Sequence, residues 1–409
     1  AIDRSNPNLI CVGGDRQPGS FPNSLGARTF SGRLFRADAA TPGSWVSLTH
    51  SGTANNSAPH ADSRSMAIDA AGRLIEGDDG GVYARTQPAS SSGVWISLNG
   101  DLQVTEQHSV AFDPIAGIAQ SGNQDNGTMR QAAADERQWA VLSSGDGGDT
   151  VVDALHSAAQ GQSISYTSAQ NLGSFRRRVH DATNNAVSVV TPGLIVSAGG
   201  ASPTGQFTTP LAINRVAPYR LAIGAANGIY ESLDAGDTLN IVAEELRPAS
   251  STSVPALAYG SSGAPDLMYI AGCVGTSCSE GGDDGIYVRR ALGAAVSLVR
   301  ANSGGFVAQG VTLDSRVPAQ VFAFENASGG VQNLLRSVDS GASWTPIKGD
   351  LPASAGLVRT LLHVHLPSGP ALLAGADTGV YISTEAQAYQ GWSLLGNGLP
   401  KAPVFELDY

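Results

Sequence analysis

DTGVYIST (Asp377–Thr384) has seven counterparts in its own chain. They are GRLFRAD (Gly32–Asp38), DDGGVYART (Asp78–Thr86), QDNGTMRQ (Gln124–Gln131), QNLGSFRRR (Gln170–Arg178), ANGIYESLD (Ala226–Asp234), DDGIYVRR (Asp283–Arg290) and GVQNLLRSVD (Gly330–Asp339), recurring every 45 to 57 residues or so. Each joins a Gly/Asp/Asn turn to a short apolar strand. Upstream of each copy lie two more strand-like runs, as in SMAIDAAGRLIEG (Ser65–Gly77) and LAINRVAPYRLAIG (Leu211–Gly224). Most are followed by a fourth run, several of these carrying Trp45, Trp95, Trp139, Trp344 or Trp392. Four short antiparallel strands per fifty residues or so predict an all-β fold, a single β-propeller over residues 1–409. The count is eight blades, or seven if the irregular stretch Ala186–Thr209 is misread. The ends suggest closure, with Val404–Tyr409 as the inner strand that completes the first blade begun by Ser5–Gly14.

Composition agrees. Glycine is 50 of 409 residues and charged residues are only 14%, which suits tight turns rather than helices needing charged outer faces. Net charge is −11 with no basic block, so nucleic acid is not an expected partner. No apolar run is long enough for a membrane span. The sequence opens at Ala1 without a signal peptide, as a mature secreted chain or a cytosolic one would. Cys273 and Cys278 are spaced to close a small loop, and Cys11 reads as a buried thiol. A disulfide there suits an extracytoplasmic address. The oligomeric state is not encoded in any pattern found.

Ser337-Val-Asp-Ser-Gly-Ala-Ser-Trp344 resembles the Asp-box of sialidase-like (BNR repeat) and sortilin-like propellers, and Ser232-Leu-Asp-Ala-Gly-Asp-Thr-Leu239 resembles a decayed copy. A longer run is similar to secreted bacterial proteins with sialidase-type repeats: PHADSRSMAID, EGDDGGVYART, HSVAFDP, GNQDNGT and SGDGGD, in order from Pro59 to Asp149. That group includes xyloglucan-cleaving glycoside hydrolases and photosystem assembly factors. The resemblance implies a propeller and a structural role for the Asp-box. It does not carry the sialidase mechanism, because the R-I-P motif is replaced by Arg316-Val-Pro318. Nor does it carry the two-ring xyloglucanase mechanism, because only one ring's worth of repeats is present.

Polar residues crowd the loops of the first four repeats. They are Asp15, Arg16 and Arg28; His60, Asp62, Arg64, Asp78 and Asp79; Glu106, His108, Gln124, Asp125 and Asn126; and Asp146, Asp149 and Gln170. The later loops are poorer, Asp283 and Asp284 excepted. A one-sided cluster suits a single substrate cleft. In this reading His60, Asp62, Arg64, Glu106 and His108 do the acid–base work. Asp15, Arg16, Arg28, Gln124, Asp125, Asn126 and Gln170 bind the substrate. Asp78, Asp79, Asp146 and Asp149 could hold a divalent cation, calcium on carboxylates or zinc or manganese with histidine. Asp78, Asp79, Asp125 and Asn126 are equally good turn residues. His363 and His365 alternate on one strand as a channel-lining or packed pair, and Arg176–Arg178 reads as a solvated strand edge.

The function expected is a carbohydrate-active enzyme, a glycoside hydrolase or polysaccharide lyase acting on a glycan. The alternative is a non-catalytic lectin or assembly scaffold, against which the uneven distribution of candidate residues argues. A quinone-dehydrogenase-type propeller ranks last, since its tryptophan-docking repeats are absent.

Overall fold

The computed structural model describes the chain except residues 4, 103, 156–157, 249–254, 276–277, 279–283, 303–304 and 397, and the side chains of 158 and 198. The Asp283 candidate therefore lies outside the described residues. Among them the regular structure is strand, with short 3-10 turns and no α-helix. Among the described residues no helix is long and apolar enough to cross a membrane.

Eight sheets follow one another along the chain. The first has three strands, Leu9–Arg16, Gly32–Asp38 and Val46–Ser47. The second to eighth begin with inner strands Ser65–Ile68, Gln107–Asp113, Gly147–Asp153, Leu211–Ile213, Leu257–Ser261, Phe306–Leu313 and Val358–Leu366. Apart from extra strands in the fifth and sixth they are meanders, and each of the eight sequence repeats contributes the strand after the sheet's central hairpin, such as Gly127–Gln131 or Gly379–Thr384. The turn chemistry explains the conserved spacing of glycine within the repeats. Gly127 opens its strand at φ 72°, and a Cβ there would lie 1.9 Å from the Ser143 carbonyl oxygen. Only glycine tolerates both demands.

The irregular stretch is an insertion. After Ala186–Val190 ends the fourth sheet, Ile195–Val196 lies parallel to Thr238–Leu239 as an extra edge strand of the fifth. Arg176–Arg178 is not a solvated edge. Its strand lies inside the fourth sheet, where Arg178 is buried and donates to Thr167 Oγ1 at 2.6 Å and the Leu142 carbonyl at 3.2 Å. Both octapeptides compared above close the same turn. Ser337 Oγ meets Asp339 Oδ1 at 2.8 Å and accepts the Gly341 N–H, while Asp339 accepts the Ser343 N–H. Ser232, Asp234, Gly236 and Thr238 repeat that pattern. Leu239, fully buried, stands where Trp344 packs in the other copy.

The chain divides into two compact units, Ala1–Thr105 with two sheets and Glu106–Tyr409 with six. In the first, Leu9, Cys11, Leu34, Leu48, Leu74 and Trp95 form a core shared by its two sheets. Cys11 is a buried free thiol as expected. In the second, apolar clusters lie between sheets four and five, five and six, six and seven, and seven and eight. Sheets three and four meet instead through polar groups. Ser163 of the fourth sheet donates to Asp113, which Arg130 of its own sheet also grips at 2.6 Å, and Ser109 donates to Asp149 at 2.7 Å. Cys273 and Cys278 form a disulfide.

The expected ladder from Val404–Tyr409 is not formed: the segment carries no strand and the first sheet has three. The tail is held within the second unit by other means. Val404 N–H donates to Ala376 O, Leu407 packs with Leu362 and Val364, and Glu406 and Asp408 accept the amides of Val110 and Phe112. Side-chain carboxylates thus supply the acceptors that a neighbouring strand's carbonyls would have offered.

Candidate functional site

The first unit gathers its candidates around one hairpin. Leu74–Asp78 runs into Gly81–Arg85 through Asp79 and Gly80. Asp78 Oδ1 accepts the Gly80 N–H at 2.9 Å, the turn role its sequence suggested. Arg64, mostly exposed, grips Asp79 with two parallel bonds of 2.9 and 2.7 Å. His60 lies over the turn, so close that a Cβ on Gly80 would fall 2.5 Å from its own Cβ. Asp62, held at φ 63°, faces Asp15, whose carboxyl is held below its usual range by the hydrogen bond from Asp62. Arg16 covers the Phe30 ring at 4.7 Å, and Arg28 is exposed on the long loop before Gly32.

Glu76 was not anticipated. It is fully buried two residues before Asp78, so both carboxyls project from one face of the strand. Neither Glu76 oxygen, nor Asp78 Oδ2, makes a hydrogen bond of good geometry with an N–H or O–H donor among the described residues, although the Ser63 hydroxyl lies close enough to Glu76 to favour its ion. Two carboxylates facing each other satisfy one another only by sharing a proton. Burial first, then the neighbouring Asp78, pushes Glu76 up to about 8, and burial raises Asp78 as well. The pair therefore keeps a proton through neutral pH, beside an Asp79 engaged by guanidinium. The i, i+2 spacing was the available signal, masked by the apolar residues around Glu76.

In the second unit, His108, Gln124, Asp125, Asn126, Asp146 and Gln170 form one hydrogen-bonded chain. Gln124 Nε2 donates to Asp146 Oδ1 at 2.6 Å and to Asp125 Oδ1 at 3.0 Å. Carboxylates only accept, so the amide's oxygen must face His108 Nε2, 2.9 Å away. That makes His108 Nε2–H the donor to Gln124 Oε1. Asp146 N–H donates to Gln170 Oε1, Gln170 N–H donates back to Asp146 O, and Asn126 Nδ2 donates to Gln124 O. Phe207 sits edge-on to His108 at 5.8 Å and is partly exposed. Glu106 is exposed and contributes its carbonyl, accepting the Gln124 N–H.

Asp149 stands apart. It is buried inside a strand with both oxygens taken, by Ser109 Oγ and by the Leu211 N–H at 2.6 Å. Burial lifts its carboxyl to about 7. Asp146 Oδ1 is likewise engaged by Gln124 and the Asp125 amide. The four aspartates expected to hold a cation are thus each hydrogen-bonded or ion-paired. The inner strands of the second unit's six sheets and the tail Glu406–Tyr409 line a cavity of about 450 Å³. His363 and His365 both face it, His363 stacked on Phe322 at 5.1 Å.

No protein-family model matches this chain, and no curated protein does. Solved structures do. The chain is similar to an ancestral GH74 enzyme at 12% identity and a TM-score of 0.53, over 97% of this chain and 67% of that one. Also similar are the extracellular domain of a one-component system from B. thetaiotaomicron (12% identity, TM-score 0.45, 98% and 54%) and a protein from Lactobacillus plantarum (14%, 0.46, 79% and 93%). The likeness to the GH74 enzyme shows the fold, an all-β, β-propeller-like arrangement of sheets.

Proposed function

We propose that this chain is an extracytoplasmic carbohydrate-active enzyme, a glycoside hydrolase whose acid is carried by the Glu76–Asp78 pair. The observation that carries this reading is the placement of buried Glu76 beside Asp78 on one face of the hairpin strand, a pair of facing carboxyls that can share a proton. Glycoside hydrolysis needs one carboxyl protonated and another ionised near neutral pH. Asp78, the half-buried member, would hand its proton to the leaving oxygen while Glu76 behind it restores the supply. Asp79, held by Arg64, or Asp15, which accepts from Asp62, would serve as the ionised carboxylate. Arg16 and His60 border the same loops and would orient the sugar. The fold shared with a GH74 enzyme and the Cys273–Cys278 disulfide support the substrate class and the address.

The test is release of reducing ends from a panel of neutral and uronate-containing polysaccharides. Turnover is expected for the wild type and a loss on the order of 10²–10⁴-fold for Asp78→Asn. A wild type inert on the whole panel while still binding one of its glycans would replace this reading with a binding protein. The partly exposed Phe207 ring beside His108 favours that second reading, since sugars are held against aromatic faces.

A further inference from the structure

Asp314, His363 and His365 meet at the cavity of the second unit. The histidines alternate on Val358–Leu366, so both rings leave one face of the strand, and Asp314 follows Phe306–Leu313 next door. All three offer ligand atoms lying within 4.8 Å of one another. His365 Nε2 is 2.7 Å from Asp314 Oδ1. His363 Nδ1 is 3.8 Å from Asp314 Oδ2, beyond hydrogen-bond reach.

Local hydrogen bonding accounts for most of this corner. Asp314 Oδ1 accepts the Arg316 and Val317 amides, and Oδ2 accepts Gln320 Nε2. His363 Nε2 meets the Tyr389 hydroxyl at 3.1 Å. What it leaves over is His363 Nδ1, on a side chain that is 0% exposed, with no hydrogen-bond partner among the described residues. In either tautomer the gap to Asp314 is too long to be bridged by a proton, so the buried nitrogen is left without a bond. A cation between the two atoms resolves it. Ligand atoms on one tetrahedral zinc, at about 2.0–2.1 Å from the ion, stand roughly 3.3 Å apart. The two observed separations, each to a different oxygen of the Asp314 carboxylate, lie on either side of that value.

We propose that Asp314, His363 and His365 bind a single divalent transition-metal ion of the zinc class, with its remaining position open to the cavity. The ion takes the place of the proton between His365 Nε2 and Asp314 Oδ1, and that proton is released to solvent. Tyr389 holds the far nitrogen of His363, and the Arg316 and Val317 amides with Gln320 hold the carboxylate, the outer shell that orients metal ligands. Two nitrogens and one oxygen leave room for water or a substrate oxygen, the arrangement of a reactive rather than a closed structural zinc.

The experiment uses the full chain, freed of metal by chelation and titrated with Zn²⁺ by calorimetry and with Co²⁺ by visible absorption. One equivalent of each is expected, with a Co²⁺ d–d band reporting ordered nitrogen coordination. His365→Ala should abolish the band. Tyr389→Phe, which touches no ion, should weaken zinc binding about 10- to 100-fold. Because His363 is core-packed, His365→Ala serves as the principal variant, and its circular dichroism must match the wild type. No stoichiometric binding, or a Co²⁺ band unchanged in folded His365→Ala, overturns the proposal.

Discussion

The Glu406 carboxylate accepts the backbone N–H of Val110 at 2.6 Å, and two residues later Asp408 does the same for Phe112 at 2.8 Å. Val110 and Phe112 belong to the inner edge strand of the third sheet, and their amides point away from its ladder. An exposed sheet edge is a pairing hazard, and here side chains cap it. Removing an acceptor from a buried amide costs about 1–3 kcal/mol, so Glu406→Ala should lower stability by that amount in urea denaturation. Glu406→Gln, which retains an acceptor, should cost less. Equal losses for the two would show that the tail's packing through Leu407, not the cap, holds this edge.

Asp149 gives the pH dependence its sign. Its folded carboxyl titrates near 7, against the ordinary value of 3.8, because burial disfavours the ion. Burial and Asp149 likewise raise Glu406. A raised carboxyl binds its proton more tightly in the folded state, so its stabilisation is complete below about pH 4 and fades up to pH 7. Glu76 acts in the same direction up to about pH 8. Melting temperature should therefore decline from pH 4 to 7 by a component that Asp149→Asn removes. A slope of unchanged steepness in that variant would show that Asp149 is not the group responsible.

The sheets were legible because the strand after each hairpin repeats its glycine and its apolar alternation, from Gly32–Asp38 to Gly379–Thr384. Hairpin chemistry is local, so sequence reports it. The pairing of Gln124 with Asp146 was half legible: both were singled out, but the amide bridge between two loops is a tertiary fact. The tail was misread because VFELDY alternates like a strand while its ladder is made by carboxylates. Periodicity cannot tell an amide partner on the backbone from one on a side chain. Asp314 carries no local signal, since its partners His363 and His365 come from the next sheet.

Glu231 and Arg289 are joined by two bonds of 2.7 and 2.8 Å, both side chains almost wholly buried, with Tyr259 also donating to the carboxylate. Breaking such a pair strands a buried charge at a cost of about 3–5 kcal/mol, whereas replacing both members with apolar groups is often neutral or better. Glu231→Leu should lose that amount in urea denaturation, and Glu231→Leu with Arg289→Met should recover much of it. A double variant as unstable as the single would show that Tyr259 and the Asp266 carbonyl, which also accepts from Arg289, depend on the ions themselves.

Gly80 joins the candidate hairpin to His60. A methyl group there would meet His60 Cβ at 2.5 Å and Cγ at 2.6 Å, so ring or turn must move. Overpacking of this kind costs about 1–3 kcal/mol, which a folded unit survives. A displacement of an ångström at the acid is expected to matter far more, since positioning errors of that size cost on the order of 10²-fold in rate. Gly72→Ala is the matched control: its methyl meets nothing within 4 Å, but φ is +73°, so it carries backbone strain without touching the site. The expected outcome on the responsive polysaccharide is a large loss for Gly80→Ala and near-normal turnover for Gly72→Ala, at comparable melting temperatures. If the two variants keep equal activity, the turn at Asp78–Gly81 is architecture alone, and the proton shared by Glu76 and Asp78 serves folding rather than chemistry.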